Sequence, residues 1–172
     1  MGNRIPRWSF AVLVAALSGC GGGDSPPSSA EGAAPAADAW PGGFAFKVAV
    51  SLSEAARRKL SADGERIVVS VAYSGGPAPD VPPGVVNDVG LVDIGRDEGT
   101  LDGEGVVAFD GRAAHRDRLG MTQGESDVLV SVYSARRSSP DNILDCDTYQ
   151  DEMRLASGRT LHLSCRLLSE RE

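Results

Sequence analysis

Histidine and cysteine side chains are the first candidates for catalysis, metal binding and covalent modification. This 172-residue chain has two histidines and three cysteines. His115 sits among arginines, which disfavour the binding of a metal cation, and His162 falls on the polar side of a predicted strand. Neither has a neighbour in sequence that would form a nucleophile–base pair, and no G-x-S-x-G, H-E-x-x-H or phosphate-loop motif occurs. We therefore predict no catalytic residue and no cofactor.

The first of the three cysteines, Cys20, follows a segment with the features of an export signal. Two arginines and no acidic residue precede eight consecutive apolar residues, 10–17, a run too short to cross a bilayer. The sequence Leu17-Ser18-Gly19-Cys20 then resembles the lipobox of bacterial lipoproteins. That resemblance implies cleavage before Cys20, acyl chains on its sulfur and new amino terminus, and anchoring in a membrane. Because the next residue is Gly21 and not Asp, it also implies the outer membrane, with the domain in the periplasm or at the cell surface.

The residues after the anchor predict a spacer rather than a folded element. Residues 20–43 are rich in Gly, Pro, Ala and Ser and have almost nothing to bury. A flexible chain of this length averages roughly 25–30 Å from end to end. We therefore divide the chain into a signal peptide, 1–19, a lipidated tether, 20–43, and one domain, 44–172.

The other two cysteines, Cys146 and Cys165, are expected to pair. Outside the cytoplasm two remaining thiols usually form a disulfide, and closing a loop of this length stabilises the fold by about 3 kcal/mol. Their spacing is not C-x-x-C and no further metal ligands flank them. A structural disulfide is therefore predicted in place of a redox or metal site.

Two acidic stretches raise the question of calcium. Calcium binds six to eight oxygens that converge on one point, and neither stretch has the spacing of an EF-hand loop. Solvated turns explain both more simply, so no metal site is predicted, although a calcium site assembled across loops stays an alternative. The acidic side chains concerned are Asp93, Asp97, Glu98, Asp102, Glu104, Asp141, Asp145, Asp147, Asp151 and Glu152.

One polar segment follows a hydrophobic strand and leads to Cys146. Exposed loops on a rigid scaffold commonly carry binding groups, so this segment is the candidate recognition loop. A turn is the simpler interpretation, because Pro140 presets φ and short polar side chains after it bond their own backbone. The candidate residues are Arg136, Arg137, Ser138, Ser139, Asp141 and Asn142.

Strand patterns dominate the region after residue 43. Apolar residues alternate with polar or small ones from Phe44 to Leu52, and a serine-capped stretch ending near Gly64 predicts one short helix. Residues 75–84, with four prolines, predict a loop. Further strands are predicted at 66–73, 85–94, 105–109, 127–135 and 159–168. The fold expected is an antiparallel β-sandwich, with a partly closed β-barrel as the alternative.

Three segments, 52–60, 133–147 and 163–168, resemble a family of small Gram-negative envelope proteins of unknown function. The resemblance covers roughly residues 44–170 and implies a compact exported domain, without an activity or an assigned site.

The net charge of the mature chain limits the kind of partner that it can bind. Removal of residues 1–19 leaves 15 basic and 24 acidic residues, a net charge of −9, which argues against nucleic acid. Our leading hypothesis is a lipid-anchored, non-catalytic β domain that binds another envelope component. The alternative is an enzyme or a small-ligand or calcium-binding protein with a site assembled across loops.

Overall fold

The computed structural model describes residues 44–171, in which alternating apolar side chains build two β-sheets. The strands are β1 Phe46–Leu52, β2 Ile67–Pro77, β3 Val92–Leu101, β4 Gly105–Phe109, β5 Thr122–Ser134, β6 Leu144–Cys146, β7 Tyr149–Glu152 and β8 Thr160–Leu167. The α-helices are α1 Glu54–Asp63, α2 Arg116–Leu119 and α3 Met153–Ala156, and short 3-10 turns occupy Pro83–Val85 and Leu168–Arg171. The predicted signal peptide, lipidation site and tether lie outside the described residues.

The strands of residues 44–171 form two separate four-stranded sheets. One has the order β4-β1-β8-β6 and the other β3-β2-β5-β7. Neighbouring strands are antiparallel except β1 and β8, which run parallel. This arrangement confirms the predicted β-sandwich, and the alternative of a partly closed barrel is not formed by these residues.

The core lies between the sheets and consists mainly of valine and leucine. In β1 every second residue from Phe46 to Leu52 is buried, as the alternation predicts. The same pattern holds in β8, where Leu161, Leu163 and Cys165 are buried. The rings of Phe46 and Phe109 lie 5.5 Å apart between centroids, so the edge strand β4 is fastened to β1 by an aromatic contact as well as by its ladder.

Helix α1 covers one end of the sandwich and has the boundaries that its sequence indicates. The hydroxyl of Ser53 accepts a hydrogen bond from the backbone N–H of Ala56 at 3.1 Å, and Gly64 ends the helix with φ of 62°. The two buried residues of its inner face are Ala56 and Leu60. The short helix near the start of the domain is therefore confirmed, while α2 and α3, of four residues each, were not predicted.

The middle of the chain departs from prediction. The strand expected at 85–94 instead runs from Val92 to Leu101. The side-chain oxygen of Asn87 accepts hydrogen bonds from the N–H groups of Val89 and Leu91, which makes this part a turn. Residues 95–101 pair with β2 although glycine and charged residues dominate them and none of them is fully buried. The pairing uses backbone N–H and C=O groups, which these residues carry whatever their side chains.

Two further boundaries also differ. The loop predicted from residue 75 begins later, because Gly75, Gly76 and Pro77 still pair with β5 across a bulge. Strand β5 begins at Thr122, five residues before the predicted start at Asp127. The strands β6 and β7 were missed, since three and four residues are too few to show a period.

Candidate functional site

The candidate recognition loop, residues 136–142, connects the end of β5 to the start of β6 at one end of the sandwich. The first residue of β6, Leu144, pairs with Leu167 at the end of β8. Strand β8 is parallel to β1, so β1 also ends at this side of the molecule. The first described residue, Phe44, precedes β1 and therefore lies at the opposite end, where the carbonyl of Ala45 accepts a hydrogen bond from Gly158. We call these the loop end and the entry end.

The amino-terminal half of the loop is held by one buried carboxylate, that of Glu65, which is 2% exposed. The N–H of Ser138 donates to Glu65 Oε2 at 2.7 Å and the Ser138 hydroxyl donates to the same oxygen at 2.7 Å. The N–H of Arg137 donates at 2.9 Å to Oε2, and that of Arg66 at 2.9 Å to Oε1. Within the described residues no cationic side chain pairs with Glu65, so its charge is balanced by amide and hydroxyl dipoles.

These hydrogen bonds decide the protonation state of Glu65. Burial raises the pKa of its carboxyl, but the backbone and side-chain hydrogen bonds from Ser138, together with those from Arg66 and Arg137, outweigh burial and lower the pKa to about 2. The group is therefore ionised at neutral pH. A charged acceptor forms stronger bonds than a neutral one, so Glu65 fixes the backbone of the loop firmly.

The carboxy-terminal half of the loop is held by Asn142. Its Oδ1 accepts hydrogen bonds from the N–H of Ser134 at 2.9 Å and from the Ser134 hydroxyl at 3.1 Å. Its amide group donates to the carbonyl of Leu144 at 2.7 Å, and the Leu144 N–H donates back to Oδ1 at 3.1 Å. Asn142 therefore joins the end of β5 to the start of β6. The turn interpretation of this residue agrees with the structure, whereas its role in recognition stays a prediction.

The side chains of Arg136 and Arg137 are exposed and make no ion pair within the described part of the chain. Arg136 is the one non-glycine residue among residues 44–171 with positive φ, 58°. Other basic side chains at the loop end do have carboxylate partners, which are Glu104 for Arg57, Asp102 for Arg66 and Asp145 for Arg166. The loop therefore presents two guanidinium groups that have no carboxylate partner within the described residues, while the ionised Glu65 lies beneath it and Asp141 belongs to it.

Glu65 is the residue of this site that sequence reasoning missed. It stands between Gly64, which ends α1, and the first buried residue of β2, Ile67. An acidic residue at such a junction normally lies in solvent. Its two partners in the loop, Arg137 and Ser138, are more than seventy residues away in the chain, so no local pattern could identify it.

The predicted disulfide is present between Cys146 and Cys165, with an S–S distance of 2.02 Å. The two residues face each other on β6 and β8. Beside the disulfide runs an open groove of about 650 Å³, lined by Ser51, Leu52, Ser53, Asp145, Cys146, Asp147, Ser164, Cys165 and Arg166.

The polar groups of this groove already bind one another. The hydroxyls of Ser51 and Ser164 are 3.2 Å apart, and Arg166 pairs with Asp145 at 3.0 Å. The carboxylate of Asp147 accepts the N–H of Ser164 at 3.0 Å. The groove therefore offers few free donors or acceptors to a ligand.

Neither histidine lies in a catalytic arrangement among the described residues. His115 precedes α2 and His162 lies on the outer side of β8, and both are exposed. Neither imidazole makes a hydrogen bond or ion pair with the described residues. No nucleophile–base pair involving histidine is therefore formed there.

The acidic stretches do not converge either. Asp102 and Glu104 pair with arginines, and Glu98 accepts a hydrogen bond from the Tyr133 hydroxyl at 3.0 Å. Within residues 44–171 no three carboxylate, histidine or cysteine side chains are grouped to hold a metal ion. The structure gives the calcium alternative no support in this part of the chain.

Comparisons with known proteins give no relative for this chain: no protein-family model, curated protein or solved structure matches it. The resemblances to lipoproteins and to small envelope proteins therefore stay predictions. In the part of the chain that the structure describes, no helix has the length and apolar character needed to span a membrane.

Proposed function

We propose that this chain is a lipid-anchored, non-catalytic domain of the bacterial envelope that binds another envelope protein through the recognition loop. The observation that carries the proposal is the pair of exposed, unpaired guanidinium groups of Arg136 and Arg137 on a backbone fixed by Glu65. Such a loop loses little conformational entropy on binding, because folding has already ordered it. Two exposed guanidinium groups without a carboxylate partner favour an acidic surface on the partner.

The position of the loop also supports the proposal. A chain anchored at Cys20 would join the domain at Phe44, at the entry end. The seven residues of β1 span about 20 Å between that end and the loop end. The loop would therefore face away from the point of attachment and be free to meet a partner.

The test is site-specific photocrosslinking of the full-length, lipidated protein in intact envelopes. A photoreactive residue at Asp141 reports on the recognition loop, and one at Leu155, which is 36% exposed, reports on the entry end. We expect a single reproducible crosslinked protein from the loop position and not from the entry position. Arg136→Ser combined with Arg137→Ser should lower the yield of that product about tenfold, because two charged contacts are lost.

A matched pair of arginines controls for general charge effects. Arg118→Ser with Arg159→Ser removes the same charge from the entry end, and neither of these side chains pairs with a carboxylate among the described residues. This control should leave the crosslinked product unchanged. Equal crosslinking from both positions, or equal loss in both double variants, would contradict recognition by the loop.

A further inference from the structure

A pocket of about 260 Å³ opens at the entry end of the sandwich, beside the point where the described chain begins. Its lining comes from the segment before β1, from α2, from the first residues of β5 and from the start of α3. Pockets that hold drug-sized molecules measure roughly 300–1,000 Å³. This pocket therefore suits one large side chain better than a free ligand.

The inner lining of the pocket is apolar. Met153 is only 3% exposed, and Phe44 and Leu119 are partly buried and pack against the core. The hydroxyl groups of the lining already bind protein atoms. The Thr122 hydroxyl donates to the carbonyl of Leu119 at 2.8 Å and lies 3.3 Å from the Ser126 hydroxyl. Because burying a polar group without a hydrogen bond is costly, the pocket favours an apolar occupant.

Two charged side chains stand at the opening of the pocket. Glu125 and Arg154 both line it, both are more than half exposed, and their Oε2 and Nε atoms are 3.6 Å apart. Arg154 also pairs with Glu152, so its guanidinium is held in place from two sides. A guanidinium attracts the face of an aromatic ring, and a carboxylate accepts an N–H. An indole offers both a ring face and one N–H donor.

The sequence directly before Phe44 supplies an indole. Residues 20–43 contain one aromatic or large aliphatic residue, Trp40, which lies outside the described residues. A proline and two glycines separate it from Phe44, whose own side chain lines the pocket. Four residue steps span at most about 14 Å, and glycines allow the chain to reverse its direction. The connection therefore keeps Trp40 within reach of the pocket.

We propose that the indole of Trp40 packs into this pocket against Leu119 and Met153, and that it fixes the end of the predicted tether to the domain. A side chain joined to the pocket by so short a connection has an effective concentration in the millimolar range, so a dilute ligand from solution competes poorly. The spacer between the anchor and the domain is then residues 20–39, and the domain has fewer orientations at the membrane. This inference does not depend on binding by the recognition loop.

The experiment measures tryptophan fluorescence of the full-length, lipidated protein in phosphatidylcholine vesicles. Every sample carries Trp8→Phe, so that Trp40 is the only tryptophan whether or not residues 1–19 are removed. Iodide quenches an indole in water, and spin-labelled lipid quenches an indole in the membrane. We expect quenching by iodide to be about tenfold weaker than in a free peptide of residues 36–43, which corresponds to a tenfold excess of docked over free indole. Spin-labelled lipid should not quench the emission.

A pair of leucine variants tests the site itself. Leu119→Asp places a charge in the pocket and should raise iodide quenching to the value of the free peptide. Leu168→Asp is the matched control, because Leu168 is 42% exposed and follows β8 at the loop end. This control should leave the quenching unchanged.

A second measurement leaves the folded domain unaltered and carries the test if Leu119→Asp does not fold. The methyl resonance of Met153 in NMR spectra should move when Trp40→Ala removes the ring beside it. Asp38→Ala, two positions away from Trp40, is the control and should not move that resonance.

Three results would overturn the proposal. Strong quenching by iodide in the original protein would show that the indole of Trp40 lies in water. Strong quenching by spin-labelled lipid would place it in the membrane interface, where tryptophan is enriched. Equal protection from iodide in Leu119→Asp and Leu168→Asp, or a Met153 resonance that Trp40→Ala does not move, would show that the indole is buried elsewhere.

Discussion

Glu65 and Ser138 are joined by two hydrogen bonds of 2.7 Å to a single carboxylate oxygen, although 73 positions separate them in the chain. One bond comes from the backbone of Ser138 and the other from its hydroxyl. The segment between α1 and β2, which contains Glu65, is thereby joined to the recognition loop after β5. This contact makes the order of the recognition loop depend on the charge of one buried group.

Replacement of that carboxylate should loosen the loop and destabilise the fold. Glu65→Gln keeps the size of the side chain but removes the charged acceptor from the amides of Arg137 and Ser138. We expect a loss of about 2–3 kcal/mol in the free energy of unfolding. The measurement is urea denaturation, together with hydrogen exchange of the two loop amides, which should become faster. Glu98→Gln, at an exposed site, serves as the control and should change stability by less than about 0.5 kcal/mol.

The free energy of unfolding should also fall at low pH, because Glu65 becomes protonated. Its folded-state pKa of about 2 lies below the ordinary value of 4.5, so the folded state binds fewer protons than the unfolded state. The contribution is fully present above about pH 4.5 and is lost as the pH falls toward 2. Hydrogen bonds lower the pKa of Glu104 and Glu170 too. Glu65→Gln should therefore show a smaller decline over this range than the original protein, and parallel curves would contradict the assignment.

Removal of the disulfide should lower stability without changing the fold. Cys146 and Cys165 are separated by 19 positions, and the lost loop constraint corresponds to about 3 kcal/mol in the chain-entropy description. The double variant Cys146→Ala and Cys165→Ala should unfold at lower urea while keeping its far-ultraviolet circular dichroism. Addition of a reducing agent should lower the stability of the original protein, because it breaks the disulfide, and should leave the stability of the double variant unchanged. A variant as stable as the oxidised protein would show that the bridge constrains little.

Gly95 is expected to tolerate no side chain. Its φ is 156°, and a Cβ there would lie 1.8 Å from the carbonyl oxygen of Ala113. Gly95→Ala must displace the segment after β4 from β3 and should cost about 3 kcal/mol or more. Gly103→Ala, where nothing lies within 4 Å of the added atom, is the matched control. Thermal unfolding of both variants checks the difference, and similar midpoints would contradict it.

The predicted anchor can be tested independently of the fold. Labelled palmitate supplied to expressing cells should enter the protein, and Cys20→Ala should abolish labelling. Cys146→Ala should not, because the lipobox resemblance concerns only the residues that end at Cys20. Equal labelling of the original protein and Cys20→Ala would exclude the proposed lipidation site.

Local periodicity explains which elements could be predicted. Strands β1 and β8 alternate strictly between buried and exposed positions, and both were located to within two residues at each end. The helix α1 carries its own start and stop residues, Ser53 and Gly64. Strand β3 has no such pattern, because half of it contacts β2 through glycine and charged residues at a sheet edge. Its position follows from a neighbour that is distant in sequence.

By itself the sequence determined the sandwich class, the short capped helix and the pairing of Cys146 with Cys165. Each of these depends on residues close together in the chain or on the number of cysteines. Only the tertiary structure decided that Glu65 is buried beneath the recognition loop, that the loop lies at the end opposite Phe44, and that β4 is an edge. These relationships join segments that are distant in the chain, and Glu65 and Ser138 alone are 73 positions apart. Contacts across such distances leave no periodic pattern in the sequence, because they depend on how the two sheets pack together.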